Sequence, residues 1–157
     1  MSVLLRGVVR RTVVAHEPLT TMQAEIQSLR KIQDLIAVAN EQHGNFTKMD
    51  WLALLAALSR CDRSTHEREL AELYLQLSRA ATTLWGSRGS FGTLLHRLGV
   101  LQASVAIFEL LPLVKPHIAH MSWRDCAILA WAMQQSHVQD SKCWGEIEGR
   151  VISMNAS

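Results

Sequence analysis

From Thr21 onward, apolar residues recur three and four positions apart, in blocks separated by short polar turns. That period marks helices with one buried face. Thr20 and Gln23 stand at the spacing of a capping box, and Met22, Ile26, Leu29, Ile32, Ile36 and Ala39 predict one long helix from Thr21 to about Gln42, closed by Gly44 as the C′ residue. Thr47 and Asp50 open the next helix, with Leu54, Leu55 and Leu58 as its core face. After the turn Cys61-Asp-Arg-Ser64, Ser64 and Glu67 form a second capping box, followed by Leu70, Leu73, Tyr74, Leu77, Ala81 and Leu84 at helical spacing. Gly86-Ser-Arg-Gly-Ser90 breaks the chain, and Phe91 to Leu101 resumes it with Leu94, Leu95 and Leu98 inward. The run from Ser104 to His120 carries Val105, Phe108, Leu111 and Ile118 on one face. Pro112 and Pro116 each remove a backbone donor within it, which predicts a kink near Leu111 or two short helices. Ser122 and Asp125 then cap a helix with Cys126, Leu129 and Met133 on one side, and Trp144, Ile147 and Val151 mark its partner, from Lys142 to Ile152.

The apolar frame repeats. Leu54-Leu-Ala-Ala-Leu58, Leu94-Leu-His-Arg-Leu98 and Leu129-Ala-Trp-Ala-Met133 superpose, with Leu98 lying 40 positions after Leu58 and Met133 lying 35 after Leu98. A short helical hairpin cannot bury its apolar face alone, so it implies stacked copies. The fold class read from this pattern is all-α: a short α-solenoid of about three hairpin repeats of 35–40 residues, behind an N-terminal capping helix.

Composition narrows the class. The chain's 157 residues fit one domain, and 48% apolar content with only three prolines and eight glycines is that of a folded core. No run reaches about 18 uncharged apolar residues, so no membrane-spanning helix is expected. The three cysteines, Cys61, Cys126 and Cys143, are odd in number and widely spaced, which fits reduced thiols. Met1 to His16 carries Arg6, Arg10 and Arg11 between Val and Leu, with no acid before Glu17. Residues 1–16 therefore read as a mitochondrial targeting segment, with an ordinary N-terminal arm as the other reading, and residues 17–157 as a single helical domain. Charge sharpens the division. The whole chain carries 16 basic and 14 acidic side chains; without the three early arginines, 13 stand against 14. From Leu73 to Arg124, five cations (Arg79, Arg88, Arg97, Lys115 and Arg124) stand against Glu109 alone. A local basic zone in a neutral domain suits a phosphate-binding surface, and equally suits solvated helix faces.

The third unit resembles a known family. Ser122-x-x-Asp125, Ile128-Leu-Ala-Trp-Ala-Met133 and Asp140-Ser-Lys-Cys-Trp144 are similar to octotricopeptide and heptatricopeptide repeats and to the repeat regions of FASTK-related proteins. The first unit carries Thr47-x-x-Asp50 and the leucines but has Ala56 where the third has Trp131; the middle unit lacks the acidic cap residue. There is no counterpart of the C-terminal RAP domain that many relatives carry. The resemblance spans about residues 46–153 and implies RNA binding, processing or editing, or ribosome-related work, in a mitochondrion or plastid; with the arginine-bearing start, the mitochondrial matrix is the expected location.

No residue set specifies catalysis. His66-Glu67 lacks the second histidine of a zinc-protease helix, and His117 and His120 have no third ligand at close spacing, so no metal and no cofactor are expected. Gly86-Ser-Arg-Gly-Ser-Phe-Gly92 has neither a preceding strand nor the Lys-Ser/Thr of a phosphate-binding loop. Two functions remain. The first is a non-catalytic subunit of a ribonucleoprotein, binding single-stranded RNA through Arg88, Arg97, Lys115 and Arg124, with Trp85 either stacking on a base or packing between helices. The second is a scaffold that binds other protein subunits without RNA. Neither involves a membrane or a small-molecule substrate.

Overall fold

A computed structural model describes residues 20–86 and 90–156; the 1–16 segment and Arg88 lie outside them. The described residues form eight α-helices and no strand, so the chain is all-α. The helices are α1 (Thr21–Ser28), α2 (Ile32–Gln42), α3 (Lys48–Leu58), α4 (Glu67–Leu84), α5 (Gly92–Val100), α6 (Ser104–Val114), α7 (Trp123–Gln135) and α8 (Ser141–Ala156), with 3-10 turns at His43–Asn45 and Lys115–His120. No helix among them is long and apolar enough to cross a membrane.

Three of the expected starts are chemically in place. Thr20 accepts from the Gln23 amide while the Gln23 side chain accepts from the Thr20 amide. Thr47 and Asp50 make the same reciprocal pair, with the Thr47 N–H donating to Asp50 Oδ2 at 2.8 Å. Ser122 accepts from the Asp125 amide, without the return bond. The start at Ser64 is different. Its amide and hydroxyl both donate to Asp62 Oδ1, which holds it in the preceding turn, and α4 begins only at Glu67 after an uncapped His66.

Neighbouring helices alternate between two layers. In the first, α3 packs on α1, α5 on α3, and α7 on α5 in the most extensive contact of the fold. In the second, α4 lies between α2 and α6, and the Lys115–His120 turn connects α6 to α8. The core fills the space between: Leu54, Leu55 and Leu58, then Leu94, Leu95 and Leu98, then Leu129 and Met133 are all buried as expected. Helix α3 is apolar on every side because neighbours cover it from three directions.

Three expectations give way. The single N-terminal helix is two, because Leu29 and Lys31 are extended (ψ 142° and 136°) and the Arg30 guanidinium donates to the Gln27 and Leu29 carbonyls. The break has a packing consequence: α1 joins the first layer and α2 the second, which one straight rod could not do. Gly44 sits in a 3-10 turn and is not a left-handed cap. On α6 the buried set is Ala106, Ile107, Leu110, Leu111 and Val114, while Val105 and Phe108 face outward. The helix is apolar almost all round, so its sequence period did not single out the inner face. The split expected from the prolines is present, but at Val114–Lys115 beyond Leu111, with Pro112 inside α6 and Pro116 opening the 3-10 turn.

Candidate functional site

The first layer builds a surface that no single helix carries. Arg97 projects from α5 and donates from Nη1 to the Leu52 carbonyl of α3 at 2.6 Å, which ties the two helices together while most of its N–H donors stay free. On one side of it lies a groove of about 370 Å³, bordered by Ala56 and Ser59, by Thr93 and His96, and by Arg124 at the start of α7. On the other lies one of about 360 Å³, bordered by Gln23, Gln27, Ala53, Arg30 and Arg60. Arg97 and Ala56 line both, so the grooves adjoin. The small residues Ala53, Ala56 and Ser59 and the guanidinium groups line them together.

Four arginines therefore border this surface: Arg30, Arg60, Arg97 and Arg124. None has a carboxylate partner among the described residues, and no carboxylate lines either groove. Arg30 and Arg60 donate only to main-chain carbonyls at the ends of their own helices.

The structure sorts the five residues expected to bind RNA. Arg97 and Arg124 come together. Arg88 lies outside the described residues. Lys115 is elsewhere: its ammonium is 2.8 Å from Asp140 Oδ2, and that contact raises the lysine pKa and lowers the aspartate's. Asp140 Oδ1 also accepts from the Cys143 amide, so the pair joins the 3-10 turn to the start of α8. Trp85 is only 4% exposed, with the Lys48 ammonium 5.5 Å from its ring centroid, so it packs and does not present a face to a base.

Sequence reasoning missed Arg30, Arg60 and His96. It counted charge along a window, and the groove is assembled across helices one hairpin apart. The usable signal was one arginine at or just beyond each first-layer helix.

A larger hollow of about 570 Å³ lies on the side of the α3–α4 and α5–α6 loops, bordered by Asp62, Arg63, Glu67 and Tyr74. Its mixed charges do not select one class of ligand, and Tyr74, pushed up to about 12 by burial, stays protonated there. No group of three His, Cys, Asp or Glu side chains among the described residues is placed to hold a metal ion. No protein-family model, curated protein or solved structure matches the chain.

Proposed function

We propose that this chain is a non-catalytic helical-repeat subunit of a mitochondrial ribonucleoprotein, and that it contacts single-stranded RNA through its first layer. The observation that supports this reading is the arginine-lined double groove free of carboxylates. Guanidinium groups bind phosphate oxygens through paired N–H donors, and a protein that holds them without internal acids leaves that capacity open. The Arg6, Arg10 and Arg11 pattern supports the organellar part of the reading, as does the similarity to organellar repeats.

The test is a fluorescence-anisotropy titration of the full chain with a short mixed-sequence single-stranded RNA. Four phosphate contacts should cost about 50-fold in affinity between about 50 and 200 mM salt, and replacing Arg30, Arg60 and Arg124 together by Gln should reduce that to about threefold. A salt dependence unchanged by the triple substitution, or no binding at the lower salt, would remove the proposal.

A second reading, a protein-binding scaffold, has its own support. Val105 and Phe108 stand one turn apart on the outer face of α6, and Phe108 is 58% exposed. Apolar side chains so placed suit a contact with another subunit. The two readings use different layers, so one chain can serve both.

A further inference from the structure

We infer that the Trp131 indole is a stacking platform for an unpaired nucleobase, placed beside the arginines that hold the phosphates; this rests on the RNA reading of the groove. Trp131 lies seven residues after Arg124 on α7. Seven residues are two helical turns, so both stand on one face, about 10 Å apart along the axis. That face is turned to α5.

Two residues of α5 hold the indole. Gly99 has no side chain, and the benzo ring occupies the space: a β-carbon built on Gly99 would stand 2.5 Å from Trp131 Cζ3. His96 lies over the ring, with centroids 5.3 Å apart and planes at 19°. His96 also lines the groove shared by Arg97 and Arg124. His96, stacked on the indole, thus borders the same groove as the guanidinium pair and places Trp131 next to it.

Trp131 nevertheless remains 37% exposed. A ring sealing the core would be covered; a ring free in solvent would not be seated on a helix glycine and a stacked imidazole. Trp131 is held in place yet accessible. A rigid aromatic loses little conformational freedom when a base stacks on it, and such stacking tolerates any base because every base has a π-face. The ligand this combination fits is single-stranded RNA, whose bases are free to turn toward the ring while its phosphates meet Arg97 and Arg124. Duplex RNA keeps its bases stacked internally, so it offers phosphates to the arginines but no free base face to the indole.

The experiment compares four probes on the full chain by anisotropy: single-stranded RNA, the same backbone without bases, an RNA duplex and oligoglutamate. Intact single strands should bind at least about fivefold tighter than the abasic strand. Trp131→Ala should abolish that advantage, leaving abasic binding and its salt dependence unchanged, and Trp131→Phe should restore part of it. Far-UV circular dichroism checks folding. Should Trp131→Ala not fold, His96→Ala, which removes the stacked partner from an exposed position, should reduce the advantage. Equal binding of intact and abasic strands overturns the inference, as does an unchanged advantage in folded Trp131→Ala. Oligoglutamate binding as tightly as RNA also overturns it and points to an acidic protein partner. Wild-type chain that binds none of the nucleic acids overturns the RNA reading itself, which is visible before any variant is made.

Discussion

Gly99→Ala and Gly145→Ala are the same chemical change in two helices, and they should move stability in opposite directions. Glycine in a helix costs about 0.5–1 kcal/mol relative to alanine, because it has more backbone freedom to lose. At Gly145, exposed on α8 with nothing within 4 Å of the added carbon, that benefit should appear undiminished. At Gly99 the added carbon would stand 2.5 Å and 3.0 Å from two atoms of the Trp131 ring and 3.1 Å from Cα of Ala132. The ring can swing toward solvent, but only by giving up its seat on α5 and its stacking on His96. The Ala132 contact is main chain in a fully buried part of α7, so relieving it means moving the two most closely associated helices apart.

Overpacking of this kind costs about 1–3 kcal/mol, against a gain below about 1. We expect Gly99→Ala to lose about 1–2 kcal/mol net and Gly145→Ala to gain about 0.5–1 kcal/mol. For a chain of this size that corresponds to a melting temperature lower by roughly 2–8 °C in the first and higher by roughly 1–4 °C in the second. Urea unfolding followed by circular dichroism measures both. The cause can be separated from the effect by a double-mutant cycle: with Trp131→Ala in the background, Gly99→Ala should cost less by at least about 0.5 kcal/mol, because the ring it collides with is gone. Gly99→Ala as stable as the wild type would refute the argument that close approach governs the α5–α7 contact. Gly92→Ala should be milder, since its near neighbour at 2.7 Å is the movable end of the Asp125 side chain.

Alkali should weaken the fold in stages. Burial pushes the Cys143 thiol from its ordinary 9.0 up to about 11 and the Tyr74 hydroxyl from 10.0 to about 12. Each binds its proton more tightly when folded, so stability is intact below pH 9, falls between pH 9 and 11 through Cys143, and falls further to pH 12 through Tyr74. The urea midpoint against pH checks this, and Cys143→Ala should make the first part of the decline shallower, leaving the share of Cys126, whose thiol is also pushed up by burial. At neutral pH an aromatic disulfide reagent should label half-buried Cys61 in the folded chain and reach buried Cys126 and Cys143 only on unfolding; fast labelling of all three would contradict the burial. Asp140→Asn should keep the cap on α8 and lose the ion pair with Lys115, a salt-sensitive effect. Asp140→Ala should also lose the cap, making it less stable than Asp140→Asn by about 1 kcal/mol in the same urea assay.

How far the sequence reached depends on which interactions decide each feature. Caps and short amphipathic faces are decided within a few residues, so Thr20, Thr47 and the leucines at positions 54–58 and 94–98 were legible. Where two local interactions compete, the pattern misled: Ser64 has the spacing of a capping box, but Asp62 two residues earlier takes both its donors. Where a helix is apolar all round, as α6 is, only its neighbours choose the buried side. The tryptophans show the same limit. Trp51 and Trp123 both stand in the first turns of equivalent helices, but Trp51 lies four positions after its cap Thr47 and Trp123 one after its cap Ser122, and Trp51 is fully buried against Phe46 and His43 while Trp123 is 51% exposed.

The same reasoning bears on charge, which in the sequence weighs against nucleic acid because the domain is near neutral. In the fold that neutrality is an average over two unlike layers. The even-numbered helices carry eight acids (Asp34, Glu41, Glu67, Glu69, Glu72, Glu109, Glu146 and Glu148) against four bases (Arg68, Arg79, Lys142 and Arg150). The odd-numbered helices carry three of each, and Arg30 and Arg60 at the ends of α1 and α3 tip that layer positive. One of its three acids, Asp50, is buried in the cap of α3 and faces no ligand. A phosphate chain approaching the odd-numbered helices meets the arginines at hydrogen-bond range, while most of the acids lie a layer away, beyond or near the roughly 8–10 Å over which physiological salt screens charge. The net charge of the domain therefore decides little about its partner. What supports the proposed RNA contact is that Arg30, Arg60, Arg97 and Arg124 border one surface of the odd-numbered layer with no carboxylate partner among the described residues.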